Sequence, residues 1–274
     1  MTSSASLLPS SLVLVGAGKM GGAMLEGWLA VGLDPTAVAV IEPAPSPEIE
    51  ALSGARGIRL NPESPGPAEI VVLAIKPQTL PAAAATIAPL VGPDTLLVSI
   101  LAGKTIADLR ARIPAARAIV RAMPNLPASV RRGATGAAAS PEVSDAQRAA
   151  AQALLAAVGT VEWLDDEALI DAVTALSGSG PAYVFHLVEC LAEAGAAAGL
   201  PPDVAQRLAR AMVIGSGELL AQSELSAAEL RQNVTSRGGT TAAALAVLTR
   251  EPGLAGLMRE AVAAAKRRAE ELSG

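Results

Sequence analysis

Leu12-Val13-Leu14-Val15-Gly16-Ala17-Gly18-Lys19-Met20-Gly21 is the stretch on which the fold of this chain turns. A short aliphatic run passes directly into a G-x-G-x-x-G turn, and a helical pattern continues from the turn through Leu29. In a strand-turn-helix setting the glycines let the backbone approach a pyrophosphate, and the helix N-terminus supplies N–H donors and positive potential. Glycine-rich turns are common, so the setting carries the inference and the string alone does not. Gly16, Ala17, Gly18, Lys19, Met20 and Gly21 are therefore candidates for binding a dinucleotide.

Outward from this turn, short aliphatic runs alternate with helical or turn-rich segments, the pattern of a parallel sheet covered by helices. Strands are expected at 12–15, 38–42, 70–75, 95–100 and 118–121, with weaker ones at 58–60, 135–139 and 160–163 closing the sheet edge. After Trp163 the strand signals stop, and Asp165, Asp166 and Glu167 open a helical pattern with negative charge at its N-terminal end. The division expected is thus a sheet domain over residues 1–164 and an all-helical domain over 165–274. Helices are expected at 181–199, closed by Gly199, at 203–221, from the Ser226/Glu229 capping box to Asn233, and after Thr241 and Gly253. The second domain is Ala- and Leu-rich over more than one helix face, which suggests burial by a second subunit, although a tightly packed monomeric bundle has the same composition.

Composition narrows the class of partner. The 274 residues carry 21 Lys plus Arg against 26 Asp plus Glu, a net charge of −5, which gives no electrostatic footprint for nucleic acid. Trp28, Trp163, Tyr183 and Phe185 are too few and scattered to stack single-stranded bases. A single cysteine, Cys190, and a single histidine, His186, exclude an intramolecular disulfide framework and the usual Cys/His zinc sets, which suits a reducing, cytoplasmic compartment and no metal. The stretch before Leu12 is Ser-rich without a basic residue and reads as a short disordered leader, not a signal peptide. Between Lys76 and Lys104 only Asp94 is charged, but Pro77, Pro81, Pro89 and Pro93 break the run, so no membrane span is expected.

Further candidates sit at strand ends and helix starts. Glu42 ends the second strand run, 21 residues past Gly21, where an acid can accept hydrogen bonds from ribose hydroxyls; a solvated strand-end charge fits it equally. Lys76, after the run at 70–75, lies where ligands of open α/β sheets sit, or is a surface lysine. Asn125, in Arg121-Ala122-Met123-Pro124-Asn125-Leu126-Pro127, could face a nicotinamide or serve the turn. Two glycine-rich knots, Ser177-Gly178-Ser179-Gly180-Pro181 and Thr235-Ser236-Arg237-Gly238-Gly239-Thr240-Thr241, stand at expected helix starts, where free N–H groups flanked by hydroxyls suit a small carboxylate or simply cap the helices. No His, Tyr or Lys stands out as a proton donor to a carbonyl, and a protonated imine has less need of one.

Taken together, G-A-G-K-M-G-G at 16–22, A-I-K-P at 74–77, R-A-M-P-N-L-P at 121–127, L-S-G-S-G-P-A-Y at 176–183 and V-T-S-R-G-G-T-T at 234–241 make the chain resemble the pyrroline-5-carboxylate reductases over essentially its whole length. The resemblance implies a Rossmann-like domain and a helical domain that interlocks in a homodimer, with decamers in some members. It implies NADH or NADPH as coenzyme and 1-pyrroline-5-carboxylate as substrate, reduced to L-proline in proline biosynthesis. Residue by residue, it assigns the coenzyme to Gly16–Gly21 and to Ala74, Ile75, Lys76 and Pro77, adds Asn61 as a nucleotide contact, and gives the imine's carboxylate and ring nitrogen to Ser236, Gly238, Gly239, Thr240 and Thr241, with Glu224 nearby. Thr241 is the residue implied to meet the ring nitrogen.

Three departures from the family pattern stand out. Leu126 stands where many members have Thr, Arg237 where many have Pro, and Glu42-Pro43 where members that hold a 2′-phosphate have Ser or Arg. The last leaves the choice of coenzyme open, although the Glu42 carboxylate itself favours NADH. A β-hydroxyacid dehydrogenase would share the two-domain plan but is expected to carry a Lys-x-x-Asn pair in its helical domain, and no lysine lies between Lys104 and Lys266. A coenzyme-sensing scaffold without turnover would leave the S-R-G-G-T-T segment unexplained.

Overall fold

The protein is described by a computed structural model over residues 8–273. The expected N-terminal leader falls largely on residues 1–7, which lie outside the described residues. The chain divides into two compact units, Met1–Ser179 with Ala265–Gly274, and Gly180–Ala264.

All eight expected strands form in the first unit: β1 (Leu12–Val15), β2 (Val38–Ile41), β3 (Arg59–Leu60), β4 (Ile70–Leu73), β5 (Leu96–Ser99), β6 (Ala118–Met123), β7 (Gly133–Ala139) and β8 (Gly159–Trp163). They build one sheet in the order β3-β2-β1-β4-β5-β6-β7-β8. Among the described residues only the β6–β7 pairing is antiparallel. The strands alternate with α1 (Lys19–Ala30), α2 (Pro47–Arg56), α3 (Leu80–Ile87), α4 (Ile106–Arg112) and α5 (Asp145–Ala156). Because side chains alternate across a strand, Leu12, Leu14, Val40, Val72 and Val120 face a core shared with Met24, Trp28 and Leu154. Val13, Val15, Val71, Leu73 and Ile119 face the other core, with Leu80, Ile87 and Leu109. The strand order reverses beside β1, which opens a crevice at the carboxyl ends of β1 and β4.

After β8 the acidic segment turns helical as expected. The Asp166 carboxylate accepts the Ala168 N–H at 2.9 Å and opens a 3-10 turn, Glu167–Leu169, which runs into α6 (Ile170–Val173). A π-helical turn, Thr174–Gly178, follows directly and leads into the second unit. There, α7 (Gly180–Ala197), α8 (Pro202–Gln222), α9 (Ala227–Asn233) and α10 (Thr240–Leu248) form, and α11 (Gly253–Ser273) ends back in the first unit. The Ser226/Glu229 capping box is present, and hydrogen bonds from the Ser226 side chain and backbone hold the Glu229 carboxyl below its ordinary pKa.

The second unit has almost no core of its own. Among its described residues Ala205 and Ala209 are the buried apolar ones, while Phe185, Leu208, Ile214 and Leu257 are each more than half exposed. What α7 and α8 share is close contact through small residues: a Cβ at Gly195 would stand 3.2 Å from Ala205 Cβ.

Trp28 ties the glycine-turn helix to α5 on the same face of the sheet. Its ring is fully buried, and Nε1–H donates at 2.9 Å to the Leu154 carbonyl in the last turn of α5, a carbonyl without an intrahelical donor. Trp28→Phe is expected to lower stability by about 1–3 kcal/mol, because that carbonyl loses its partner. Trp28→Ala adds a cavity and is expected to lower it by about 3–5 kcal/mol. Chemical denaturation of both variants checks the gap between them, which closes if the hydrogen bond matters more than the packing.

Candidate active site

Geometry explains each glycine of the first motif differently. Gly16 has φ +95, and a Cβ there would stand 2.7 Å from the Ala74 carbonyl at the end of β4, so the turn is pressed against the neighbouring strand exit. At Gly21 a Cβ would collide with the Gly16 carbonyl oxygen. Gly18 differs, for a Cβ there would meet nothing within 4 Å. It is the N-cap of α1 and has no side chain to satisfy the first-turn N–H groups, which are left for a ligand.

Three clefts surround this turn. One of about 510 Å³ is lined by Gly16, Gly18, Glu42, Ala74, Ile75 and Lys76, together with the Thr79 and Thr86 hydroxyl residues that sequence reasoning missed. Another, of about 470 Å³, is lined by Lys19, Met20, Pro124, Asn125, Leu126, Ser129 and Gly178. Ala17, Gly18 and Lys19 also line a third, beside Ser46 and Glu48. The structure thus brings together nearly every expected coenzyme residue. Gly21, Asn61 and Pro77 line none of the three, and Pro77 is the first residue of a 3-10 turn whose Lys76 carbonyl accepts both the Thr79 N–H and hydroxyl.

Glu42 is fixed in place by its neighbours. One carboxylate oxygen accepts the Ala17 N–H at 2.9 Å, and the other accepts the Ala44 N–H at 3.1 Å. Asn61, in the left-handed region at φ 48, sets its amide across the Glu42 backbone, accepting its N–H and donating to its carbonyl, both at 2.9 Å. This support role was not legible in the spacing. Asn125 likewise works as a clasp as well as a cleft wall, donating to the Ser177 carbonyl at 3.0 Å and accepting the Ala134 N–H at 2.8 Å.

Of the two glycine-rich knots, the structure keeps only one as an open turn. Ser177 and Ser179 lie in and beside the π-helical turn, and their hydroxyls donate back to the Val173 and Thr174 carbonyls, while the Ser179 N–H also bonds Thr174. The expected anion loop there is a continuous helical path, because each polar group finds a backbone partner behind it. The second knot is a true turn: Gly238 has φ +73, and the Gly239 N–H donates to the Ser236 carbonyl at 3.1 Å. Gly239 is the N-cap of α10 with no side-chain cap, so Thr240 and Thr241 occupy the first two helical positions. Ser236 and Thr240 are exposed and Thr241 is partly buried, while Glu224 is exposed between α8 and α9.

A mostly parallel sheet with an open glycine turn at its switch point, and a helical unit with an uncapped helix start, define a nicotinamide-dependent oxidoreductase. The pyrroline-5-carboxylate reductase dimerisation family matches residues 167–272, and the family described as NADP oxidoreductase, coenzyme F420-dependent, matches residues 11–103. The pyrroline-5-carboxylate reductase of Pseudomonas aeruginosa is 40% identical over 265 residues, covering 96% of each chain. A pyrroline-5-carboxylate reductase structure from Coxiella burnetii superposes with TM-score 0.90 at 35% identity, over 97% of this chain and 99% of that one. The Plasmodium falciparum pyrroline carboxylate reductase, solved with NADP bound, superposes with TM-score 0.79 at 25% identity, over 96% and 98%. The chain belongs to the pyrroline-5-carboxylate reductase family, and its coenzyme is NAD(P)H.

The glycine geometry separates fold from binding. Gly18→Val is expected to abolish dinucleotide binding while leaving the melting temperature nearly unchanged, since its side chain enters open space that the ligand needs. Gly16→Ala is expected to lower stability by about 1–3 kcal/mol through overpacking and strain. Dinucleotide titration and thermal melting of both variants are the check, and unchanged affinity in a folded Gly18→Val protein defeats the placement.

Proposed function

We propose that the protein reduces 1-pyrroline-5-carboxylate to L-proline at the expense of NADH or NADPH, the last step of proline biosynthesis. The observation that carries this is the uncapped N-terminus of α10, where the backbone donors of Thr240 and Thr241 stand beside the hydroxyls of Ser236, Thr240 and Thr241, with Arg237 in the same turn. Such a site takes a small carboxylate. The functional division intended is residues 1–164 for the coenzyme and 165–274 for substrate and self-association.

Gly16 to Gly21, Ala74 to Pro77, Glu42, Asn61 and Asn125 hold the coenzyme in this reading, and the fit rests on the open position at Gly18 and the cleft beside it. When bound, the reduced nicotinamide supplies a hydride to the imine carbon. The chain's own part is orientation and hydrogen bonding. Ser236 and the N–H groups of Thr240 and Thr241 hold the carboxylate against the Gly239 N-cap, Gly238 gives the turn its shape, and Glu224 stands at the rim. The Thr241 hydroxyl donates to or shares a proton with the ring nitrogen as iminium becomes amine. A helix-capping role for that hydroxyl has no support, since the N-cap position belongs to Gly239.

Thr241→Val is expected to lower turnover by about ten- to a hundredfold, the loss of about 1–3 kcal/mol from an unsatisfied polar partner. Coenzyme affinity and melting temperature should change little. Imine-dependent NAD(P)H oxidation by wild type and variant is the test, and full activity in the variant sinks the assignment.

Glu42 makes NADH the better coenzyme in this reading, because its tethered carboxylate receives a ribose hydroxyl and repels a 2′-phosphate. The kcat/KM for NADH should exceed that for NADPH, and Glu42→Gln should narrow the gap; a strong NADPH preference in the wild type contradicts it.

The exposed apolar side chains of the second unit support an obligate homodimer in the cytoplasm, a compartment that a single cysteine suits. No described helix is long and apolar enough to cross a membrane. Sedimentation at low micromolar concentration should show a dimer or a multiple of it, up to a decamer, and an active monomer overturns the claim.

A further inference from the structure

The chain passes between its two units twice, at residues 179–180 and within α11 at residues 264–265. Both passages are rooted in one charge cluster of the first unit, built on a buried arginine with two partly buried acids. Arg121 on β6 has a side chain only 4% exposed, and its guanidinium meets Glu167 Oε1 at 3.1 Å and Asp171 Oδ1 at 3.4 Å. Asp171 lies in α6, on the segment that leads to the first passage. The same Asp171 oxygen accepts the Ser273 hydroxyl at 3.1 Å, in the last turn of α11 beyond the second passage. Next to it, the Leu272 carbonyl is pressed on the Gly103 turn, where a Cβ would stand 2.7 Å from the oxygen.

β6 and its exit grip the first connection at two more points. Residues two apart on an extended strand share a face, and Arg121, Met123 and Asn125 follow that spacing. A Cβ at Gly178 would stand 3.0 Å from Met123 Cε, and Asn125 Nδ2 donates to the Ser177 carbonyl at 3.0 Å. The R-x-M-x-N spacing therefore works as a strap along residues 167–178. Arg121 and Asp171 line none of the clefts around the glycine turn.

We propose that Arg121 and Asp171 are positioning residues for hydride transfer, their ion pair fixing both chain connections between the coenzyme-binding unit and the helical unit. The inference rests on the reductase reading above. An apolar contact could hold the segments together, but an ion pair with a buried arginine selects one geometry and is weakened when either partner is lost. Hydride transfer is sensitive to such geometry, since a displacement of about 1 Å far from the chemistry can cost about a hundredfold in rate.

The test uses Asp171→Asn, which keeps the shape but removes the charge, Ser273→Ala, which removes the tie to α11 together with the bond of that hydroxyl to the Ala269 carbonyl, and Arg121→Lys, which keeps the charge. For each, melting temperature, dinucleotide affinity, kcat with the imine, and the primary isotope effect with coenzyme deuterated at C4 are measured. Turnover per folded molecule should fall by about tenfold in Asp171→Asn and by a smaller factor in Ser273→Ala. The isotope effect should rise as chemistry becomes slower, dinucleotide affinity should stay within about twofold, and Arg121→Lys should keep part of the activity. A purely structural role lowers melting temperature but leaves turnover per folded molecule and the isotope effect unchanged, which overturns the proposal. Should Asp171→Asn fail to fold, Ser273→Ala decides by the same readings. A wild type inert toward the imine defeats the reductase reading itself, whereas an active wild type with unaltered variants defeats only this inference.

Discussion

The close approach of Gly16 to the Ala74 carbonyl is the constraint on which the coenzyme half depends. It forces the chain leaving β1 into a left-handed turn against β4, and that turn aims the first N–H groups of α1 into the crevice where strand order reverses. Gly21 then lets α1 lie close over the turn, since any side chain there would strike the Gly16 carbonyl. The Ala17 N–H, left without a helical partner, is taken by Glu42. One steric requirement thereby places the helix dipole, the acid and the open space at Gly18 around the same point.

Charge and small residues divide the remaining work. In the first unit, carboxylates hold loops: Glu42 the glycine turn, Glu167 the Ile106 N–H at the start of α4, and Asp171 the end of α11. In the second, small residues such as Gly195 and Ala205 bring helices together and leave long apolar side chains outward. A unit built that way cannot bury enough apolar surface alone, which is the physical content of a helical region with exposed Phe185 and Ile214.

Most of the fold was legible in the sequence because strand periodicity, glycine turns and caps are local signals. The eight strands, Gly199 at φ +104 after α7, and the Ser226/Glu229 box all follow from neighbouring residues. What stayed hidden depends on residues far apart in the chain. Arg121 carries no sign of its pairing with Asp171, 50 residues on, nor does Asn61 announce its clasp on Glu42, 19 residues back. The Ser177–Pro181 knot misled for a different reason: glycine and serine suit an open turn and a π-helical turn equally, and the donors' choice of Val173 and Thr174 is tertiary. Residues of the candidate site were readable where a loop's composition is itself the chemistry, as at Gly16–Gly21 and Ser236–Thr241.

The most direct measurement is amide hydrogen exchange on the intact protein with NADH alone and with NADH plus L-proline. NADH is expected to slow exchange at residues 16–21 and 42–44, and the carboxylate of proline to add protection at residues 238–242. Protection by proline at residues 177–181, or none by NADH at the glycine turn, would contradict a coenzyme held at the start of α1 and a substrate carboxylate held at the start of α10.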